Sequence, residues 1–177
     1  MSGVDGNELL ADKETNVPAD YFLKLDPKVD GESTDSKHKG EIELESWSFG
    51  VSNNSSMLQG GGGGTGKSMP LDFHMTKKTD KATARLAQAV AMGDHFKTAI
   101  ITVRKAGSDQ QEYLTITLQD VFISSYQAGG SGNGNLPMEQ LSLNYSKIEF
   151  EYKEQKPDGS LGGAVKAGYD LKANKKV

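Results

Sequence analysis

The chain has 177 residues, 21 of them glycine and none cysteine, with 24 acidic and 20 basic side chains. That length supports one domain with a core of its own. The missing thiols exclude a disulfide scaffold, thiolate-ligated zinc, iron–sulfur clusters and thiol chemistry. No apolar run approaches the ~20 residues of a membrane span. Beyond residue 20 the charges cancel at 19 of each sign with no basic stripe, so neither membrane insertion nor nucleic-acid binding is expected.

Residues 1–20 read as a flexible acidic tail, and residues 21–177 as one β-barrel domain. Asp5, Glu8, Asp12, Glu14 and Asp20 face Lys13 alone, which places the whole formal charge of −4 in the tail. The four apolar residues between Val4 and Val17 show no period, and Gly, Asn, Asp and Pro interrupt them. A basic start followed by an apolar stretch is also missing, so no Sec-type leader is expected and synthesis as a soluble cytoplasmic protein is.

From Tyr21 the dominant signal has period two. A short strand is expected at 21–25, closed by Asp26-Pro27. A longer strand at 41–51 changes parity: Ile42 and Leu44 share one face, Trp47, Phe49 and Val51 the other. A bulge or sharp bend near Glu45-Ser46 is therefore predicted. The same switch recurs between Leu114, Ile116, Leu118 and Val121, Ile123, and again between Leu141, Leu143, Tyr145 and Ile148, Phe150, Tyr152. Long strands that change face in mid-course suit an antiparallel sheet that coils and closes. Shorter strands fit at 71–76, 98–105 and 165–171, with a hairpin turn at 106–109. One helix is expected from Ala82 through Met92, capped by Thr79 or Asp80 and ended by Gly93, with Ala82, Leu86, Ala89 and Val90 on one stripe. The fold class is thus all-β: a two-sheet antiparallel barrel with one flanking helix. Gly-rich insertions are expected at 52–69 and 127–137.

The most conspicuous motif is Gly61 to Ser68, which satisfies G-x-x-x-x-G-K-[ST] letter for letter. A phosphate-binding loop needs a buried parallel strand before it and a helix starting at its Lys. Here polar residues precede it, and Met69-Pro70 with alternating Leu71, Phe73 and Met75 come after it. We read it as a Gly-rich loop. A segment whose ordering costs so much entropy is expected to be a contact arm, with Met57 and Leu58 as its apolar tip. His38, His74 and His95 lie far apart without a metal-ligand spacing and are expected at the surface, as are Glu41, Glu43 and Glu45. No nucleophile elbow is present, so neither catalytic nor metal-binding residues are assigned. Trp47 and Phe49 are expected in the core. Ser48 then faces the other way.

The runs Gly31-Glu32-Ser33-Thr34-Asp35-Ser36-Lys37-His38, Glu41-Ile42 and Trp47-Ser48-Phe49-Gly50 come first among a set of familiar segments. The Gly60–Gly64 run with Gly66-Lys67, Thr76-Lys77 before Asp80, and Val103-Arg104-Lys105-Ala106-Gly107 come next. Glu112-Tyr113-Leu114, Ile116-Thr117-Leu118, Gly129-Gly130-Ser131-Gly132 and Asp158-Gly159 before Val165-Lys166 complete the order. Over residues 21–174 the chain in this way resembles the haemolysin-coregulated protein (Hcp) family of bacterial type VI secretion.

The resemblance implies a small β-barrel in a homohexameric ring. Such rings stack into a tube driven out by a contractile sheath, with baseplate or spike proteins and effectors as further partners. It implies no enzymatic activity and no cofactor, and secretion to the outside through that machine. It also implies an inter-ring or inter-subunit loop made of Ser55, Ser56, Met57, Leu58, Gly60, Gly61, Gly62, Gly63, Gly64, Gly66 and Lys67. Ser48 would face the lumen and touch cargo. The acidic tail departs from the family pattern; six copies would crowd about −24 charges on one ring and oppose stacking at low salt. The rival readings are a monomeric β-barrel binding module or adhesin, and a nucleotide-dependent enzyme. Calorimetric titration with Mg-ATP is expected to release no binding heat; saturable heat would restore the second rival.

Overall fold

The computed structural model describes residues 18–53, 68–106, 110–132 and 134–177. These form strands β1 (Ala19–Asp26), β2 (Ile42–Leu44), β3 (Ser46–Ser48), β4 (Val51–Asn53), β5 (Ser68–Pro70) and β6 (Phe73–Lys78). Helix α1 (Thr83–Met92) is next, and then β7 (His95–Lys105), β8 (Glu112–Gly129), β9 (Met138–Asn144), β10 (Lys147–Gln155), β11 (Leu161–Asp170) and β12 (Lys175–Lys176). All pairings are antiparallel. β4 and β5 make a separate hairpin, and the remaining strands form one ten-stranded sheet.

The parity switches are where this sheet turns. β1 pairs β2, and after Glu45 the chain goes on as β3, which pairs β6 instead. The Glu45 amide donates to Thr76 O at 2.8 Å, which ties the bend to the new neighbour. β8 carries Ile116 and Leu118 inward, passes Asp120 at φ 51°, then turns Val121 and Ile123 inward. Its first half lies between β7 and β10, and its second half pairs β9. The third switch divides the stretch into β9 and β10 at Tyr145-Ser146. The Ser146 amide donates to Gln119 O there at 3.0 Å, and its hydroxyl to Asp120 Oδ2 at 2.8 Å. The pairings return to their start through β1, β2 and β3, β6, β9, β8 and β7. β10, β11 and β12 extend outward from β8.

Inside the ring lie Leu23, Ile42, Phe73, Phe96, Ile101, Ile116, Leu118 and Leu141, each at most 2% exposed. Helix α1 packs on β8 and buries Ala82, Leu86 and Ala89. It begins one residue later than expected, because Ala82 is its N-cap and makes no side-chain cap bond. Asp80 still serves the helix: its Oδ1 accepts from the Ala82 amide at 2.9 Å. Gly93 closes the last turn in the left-handed region at φ 67°.

Three expectations on extent are corrected. The strand expected at 71–76 begins at Phe73, and Leu71 is 54% exposed. The insertion expected at 127–137 loses its first three residues to β8, since Gln127, Ala128 and Gly129 pair with Gln140, Glu139 and Met138. The insertion expected at 52–69 is framed by the β4–β5 hairpin, in which Ser52 opposes Met69. Both insertions looked loop-like because glycine and polar side chains hide the backbone pairing that long-range register supplies.

Two charges lie wholly inside. Lys77 and Glu139 are 0% exposed and meet at 2.9 Å across β6 and β9. The three protons of Lys77 Nζ have three acceptors: Glu139 Oε2, Asp80 Oδ1 at 2.7 Å and Lys78 O at 2.7 Å. Glu139 Oε1 accepts from Thr83 Oγ1 in the first turn of α1. Removing the cation strands a buried carboxylate. Lys77→Met is expected to cost about 3–5 kcal/mol. Lys77→Met with Glu139→Met is expected to regain part of that, read from urea unfolding at fixed protein concentration.

Candidate functional site

Four strands in the order β3, β6, β9, β8 place their alternate residues in register. Trp47, Met75, Leu141 and Tyr126 form one cross-strand row on the inner face. Met75 and Leu141 are buried in the core, and Trp47 and Tyr126 pack against it. Trp47 stacks on Phe73 at 5.6 Å. Phe49 also reaches this cluster, 6.3 Å from Phe73 and 5.5 Å from Phe150.

The outer face carries two flanking rows. Ser46, Thr76, Gln140 and Gln127 make one; Ser48, His74, Ser142 and Ser125 make the other. Together they line a recess of about 400 Å³. No Asp, Glu, Lys or Arg lines it, in a chain that is 25% charged. The rows are cross-linked: Ser46 Oγ lies 2.7 Å from Thr76 Oγ1, His74 Nδ1 2.8 Å from Ser142 Oγ, and Ser125 Oγ donates to Ser142 Oγ at 2.8 Å. Ser142 is 8% exposed and forms the floor. Nothing here combines a nucleophile and a base with an acid to orient it. The face offers hydroxyls, carboxamides and an imidazole as hydrogen-bonding groups.

Ser48 is exposed on the side opposite Trp47, where strand parity places it. The other seven residues of the two rows were missed from sequence. Their signal was present, a small or neutral polar residue at each alternate position of four strands, but only register brings the four together. The expected arm residues, Ser55, Ser56, Met57, Leu58, Gly60, Gly61, Gly62, Gly63, Gly64, Gly66 and Lys67, lie outside the described residues. From Ser68 the chain runs into strand β5 and then β6, whereas a phosphate-binding loop opens a helix. An apolar groove of about 340 Å³ lies beside the hairpin, lined among others by Phe49, Val51, Ile148, Phe150, Tyr169 and Leu171.

The histidine expectation is corrected at one position. His74 and His95 are exposed, but His38 is 6% exposed. Its ring stacks on Phe22 at 4.1 Å and 8°, and its Nδ1 meets Glu41 Oε2 at 2.8 Å. The segment from Gly31 to Gly40 folds back on itself, with Gly31 N donating to Gly40 O and Gly40 N to Ser33 O. A Cβ at residue 31 would come within 2.2 Å of Glu41 O, so only glycine fits. Arg104, 3% exposed, lies 4.9 Å over the Phe22 ring and donates to Asp35 at 2.7 Å and Asp20 at 3.0 Å. Lys37 and Lys39 on either side of His38 suggested solvent and are themselves exposed, but the ring between them turns inward onto Phe22 and Glu41.

Comparison with known proteins decides the family. The pattern described as "Type VI secretion system effector, Hcp" matches residues 22–152. The chain belongs to the Hcp family. Protein hcp1 of Pseudomonas aeruginosa is 43% identical over 160 residues, 89% of this chain and 98% of that protein. A solved type VI secretion system protein superposes with a TM-score of 0.84 at 36% identity, covering 90% of this chain and 100% of the other. Hcp1 of Salmonella typhimurium gives 0.76 at 36% identity, covering 90% and 99%. Hcp proteins are secreted structural tube proteins of type VI secretion, not enzymes.

Asp35 in the fold-back is expected to lend the Hcp barrel stability that acid removes. Burial pushes its carboxyl up, but the Arg104 guanidinium and the Lys37 and His38 amides outweigh that and hold it below the usual carboxylate range. A depressed folded value means that the stabilisation is complete above the unfolded value of about 4 and is lost as pH falls through the folded one. Asp35→Asn is expected to lower the urea midpoint at neutral pH. Its gap to wild type should shrink below about pH 4; a gap independent of pH would contradict the ion-pair origin.

Proposed function

We propose that this Hcp chain forms homohexameric rings that stack into the inner tube of type VI secretion, carry effectors in the lumen and leave the cell with them. Membership of the family over residues 22–152 carries this reading. Its partners are further copies of itself, the sheath, baseplate or spike proteins and effectors. Identical heterologous contacts that close after a fixed rotation make a ring; the number six comes from the family resemblance.

Two surfaces support the assembly. The apolar groove, with Val51 62% and nearby Val165 68% exposed, is the kind of surface that a monomer keeps small and an oligomer covers. We assign its cover to a neighbouring copy. The β4–β5 pairing joins the two segments that flank residues 54–67 in sequence. The family implies that this arm reaches the next ring.

The recess containing Ser48 is assigned to the lumen as its cargo-contacting face. The N-terminal segment then modulates stacking. Asp20 already belongs to β1 and pairs with Arg104, which leaves residues 1–17 with four acids and one base. Six copies concentrate about −18 charges, a brake that salt screens.

Size-exclusion chromatography with light scattering, followed by negative-stain microscopy of the same peak, tests the ring. A mass near six subunits with annular particles is expected. A monomer at tens of micromolar would favour the rival, a β-barrel binding module or adhesin. Ser48→Gln is expected to leave rings intact and to reduce recovery of a co-expressed effector; equal recovery would remove Ser48 from the cargo face.

A further inference from the structure

His74 sits over a chain of hydroxyls. Ser142 Oγ receives the Ser125 hydroxyl proton at 2.8 Å and lies 2.8 Å from His74 Nδ1. When Ser142 gives its own proton to Nδ1, the ring's proton sits on Nε2. The Ser124 hydroxyl, 3.1 Å from Ser142 O, gives its proton to the Asp72 carboxylate beside the recess. The exposed imidazole edge then presents an N–H donor at the recess, with Ser48 on the neighbouring strand β3, Thr76 two residues along β6 and Gln140 one row away.

No charged side chain lines the recess, and Asp72, two residues before His74, is engaged by Ser124 and Asn144. The recess is lined by hydroxyls, carboxamides, this imidazole and the backbone edges of Trp47, Met75 and Leu141. A charged ligand would give up its hydration there without a counter-charge to replace it. A sugar ring would want an aromatic face to dock on, and Trp47 and Tyr126 both turn inward to the core. An extended polypeptide with uncharged side chains meets what is offered, because its carbonyls and carboxamides supply acceptors at strand-like spacing.

We propose that this recess binds an uncharged, extended polypeptide segment, whose carbonyl or carboxamide oxygen accepts from His74 Nε2–H. The proposal rests on the cargo-face reading above and specifies the chemistry of what that face takes. Binding by neutral groups lacks the Coulombic attraction that salt screens, so it is expected to persist at high ionic strength.

The test uses the whole chain labelled with ¹⁵N in its histidine rings, at about pH 8. The His74 resonances are assigned by their loss in His74→Gln. The neutral Nε2–H tautomer is expected; an Nδ1–H tautomer overturns the assignment. The probe is a blocked peptide of repeated Gly-Ser-Gln, with a blocked Glu-Ser-Glu repeat and a neutral oligosaccharide as controls. The neutral peptide should shift His74 Nε2–H with an affinity that changes less than about twofold between about 0.05 M and about 0.5 M NaCl. No shift, a preference for the acidic peptide or a preference for the sugar overturns the proposal.

Unlabelled variants report through isothermal titration with the same peptide. His74→Phe should weaken binding about fivefold or more, the loss of one directed hydrogen bond, and His74→Gln, which keeps a donor at similar reach, should retain most of it. Equal loss in both overturns the donor role. Light scattering and microscopy on the same samples separate the two levels: rings that carry effector without the peptide response defeat this inference alone, and a monomer defeats the tube reading.

Discussion

β8 must turn one face inward for its first half and the other face inward for its second, and the rest of the barrel depends on how it does so. Ile116 and Leu118 are even-numbered, Val121 and Ile123 odd-numbered, and all four are buried. A regular strand points such sets to opposite sides. Asp120 absorbs the difference by adopting the left-handed region at φ 51°, which Asp tolerates better than most residues. Its carboxylate is gripped by Lys172 at 2.7 Å and by the Ser146 hydroxyl at 2.8 Å, and these contacts hold its carboxyl below the usual range. The Ser146 bonds at the same point break β9 from β10 opposite the bend. One corner thus turns two neighbouring strands together, which lets β8 serve β7 and β10 with its first half and β9 with its second.

The second corner, at Glu45, lets the chain leave β1 for β6 and so closes the ring of strands. Between the corners, polar groups are committed in pairs rather than left to solvent. Lys77 ties β6 to β9 and to the start of α1 through Asp80 and Glu139. Arg104 ties β7 to the beginning of β1 and to the fold-back loop through Asp20 and Asp35. Each cation is nearly inaccessible and each has more than one oxygen partner, the condition under which a buried charge is tolerable. These pairs hold the loop that carries most of the charged family signature as part of the structure, with its histidine stacked on an aromatic ring instead of facing solvent.

The face built around Ser48 comes from the same alternation that builds the core. Each of β3, β6, β9 and β8 sends one residue into the barrel for every residue it sends out. A row of Trp47, Met75, Leu141 and Tyr126 on one side therefore requires polar rows on the other. The outward rows are uncharged and of small to medium size, whereas elsewhere on the surface lysine meets glutamate, as Lys78 meets Glu45 and Lys166 meets Glu151. That contrast suits a surface meant to meet other polypeptides without long-range attraction or repulsion. The Hcp family membership gives such a surface a natural place in a secretion tube.

Much of the fold was legible in the residues themselves. Period-two patterning located most of the longer strands, the three parity changes marked both corners and the β9–β10 break, and Gly93 marked the end of the only helix among the described residues. Family motifs added the tube and its parts. Register was not legible, and with it went most of the site: Ser48 was visible as the residue opposite Trp47, but His74, Ser125 and Ser142 come from three further strands. Lys77 read as an ordinary strand lysine until Glu139, 62 residues later, was placed beside it. Hydrophobic alternation is written locally and shows which face of each strand is apolar. The backbone donors and acceptors that join strands are alike at every position and carry no address. Their partners are chosen only when all the apolar faces are buried at once, so most of the longer strands, their corners and many of their inward residues came from sequence, while the β4–β5 hairpin, the neighbours, the buried ion pairs and the uncharged recess were decided by tertiary structure.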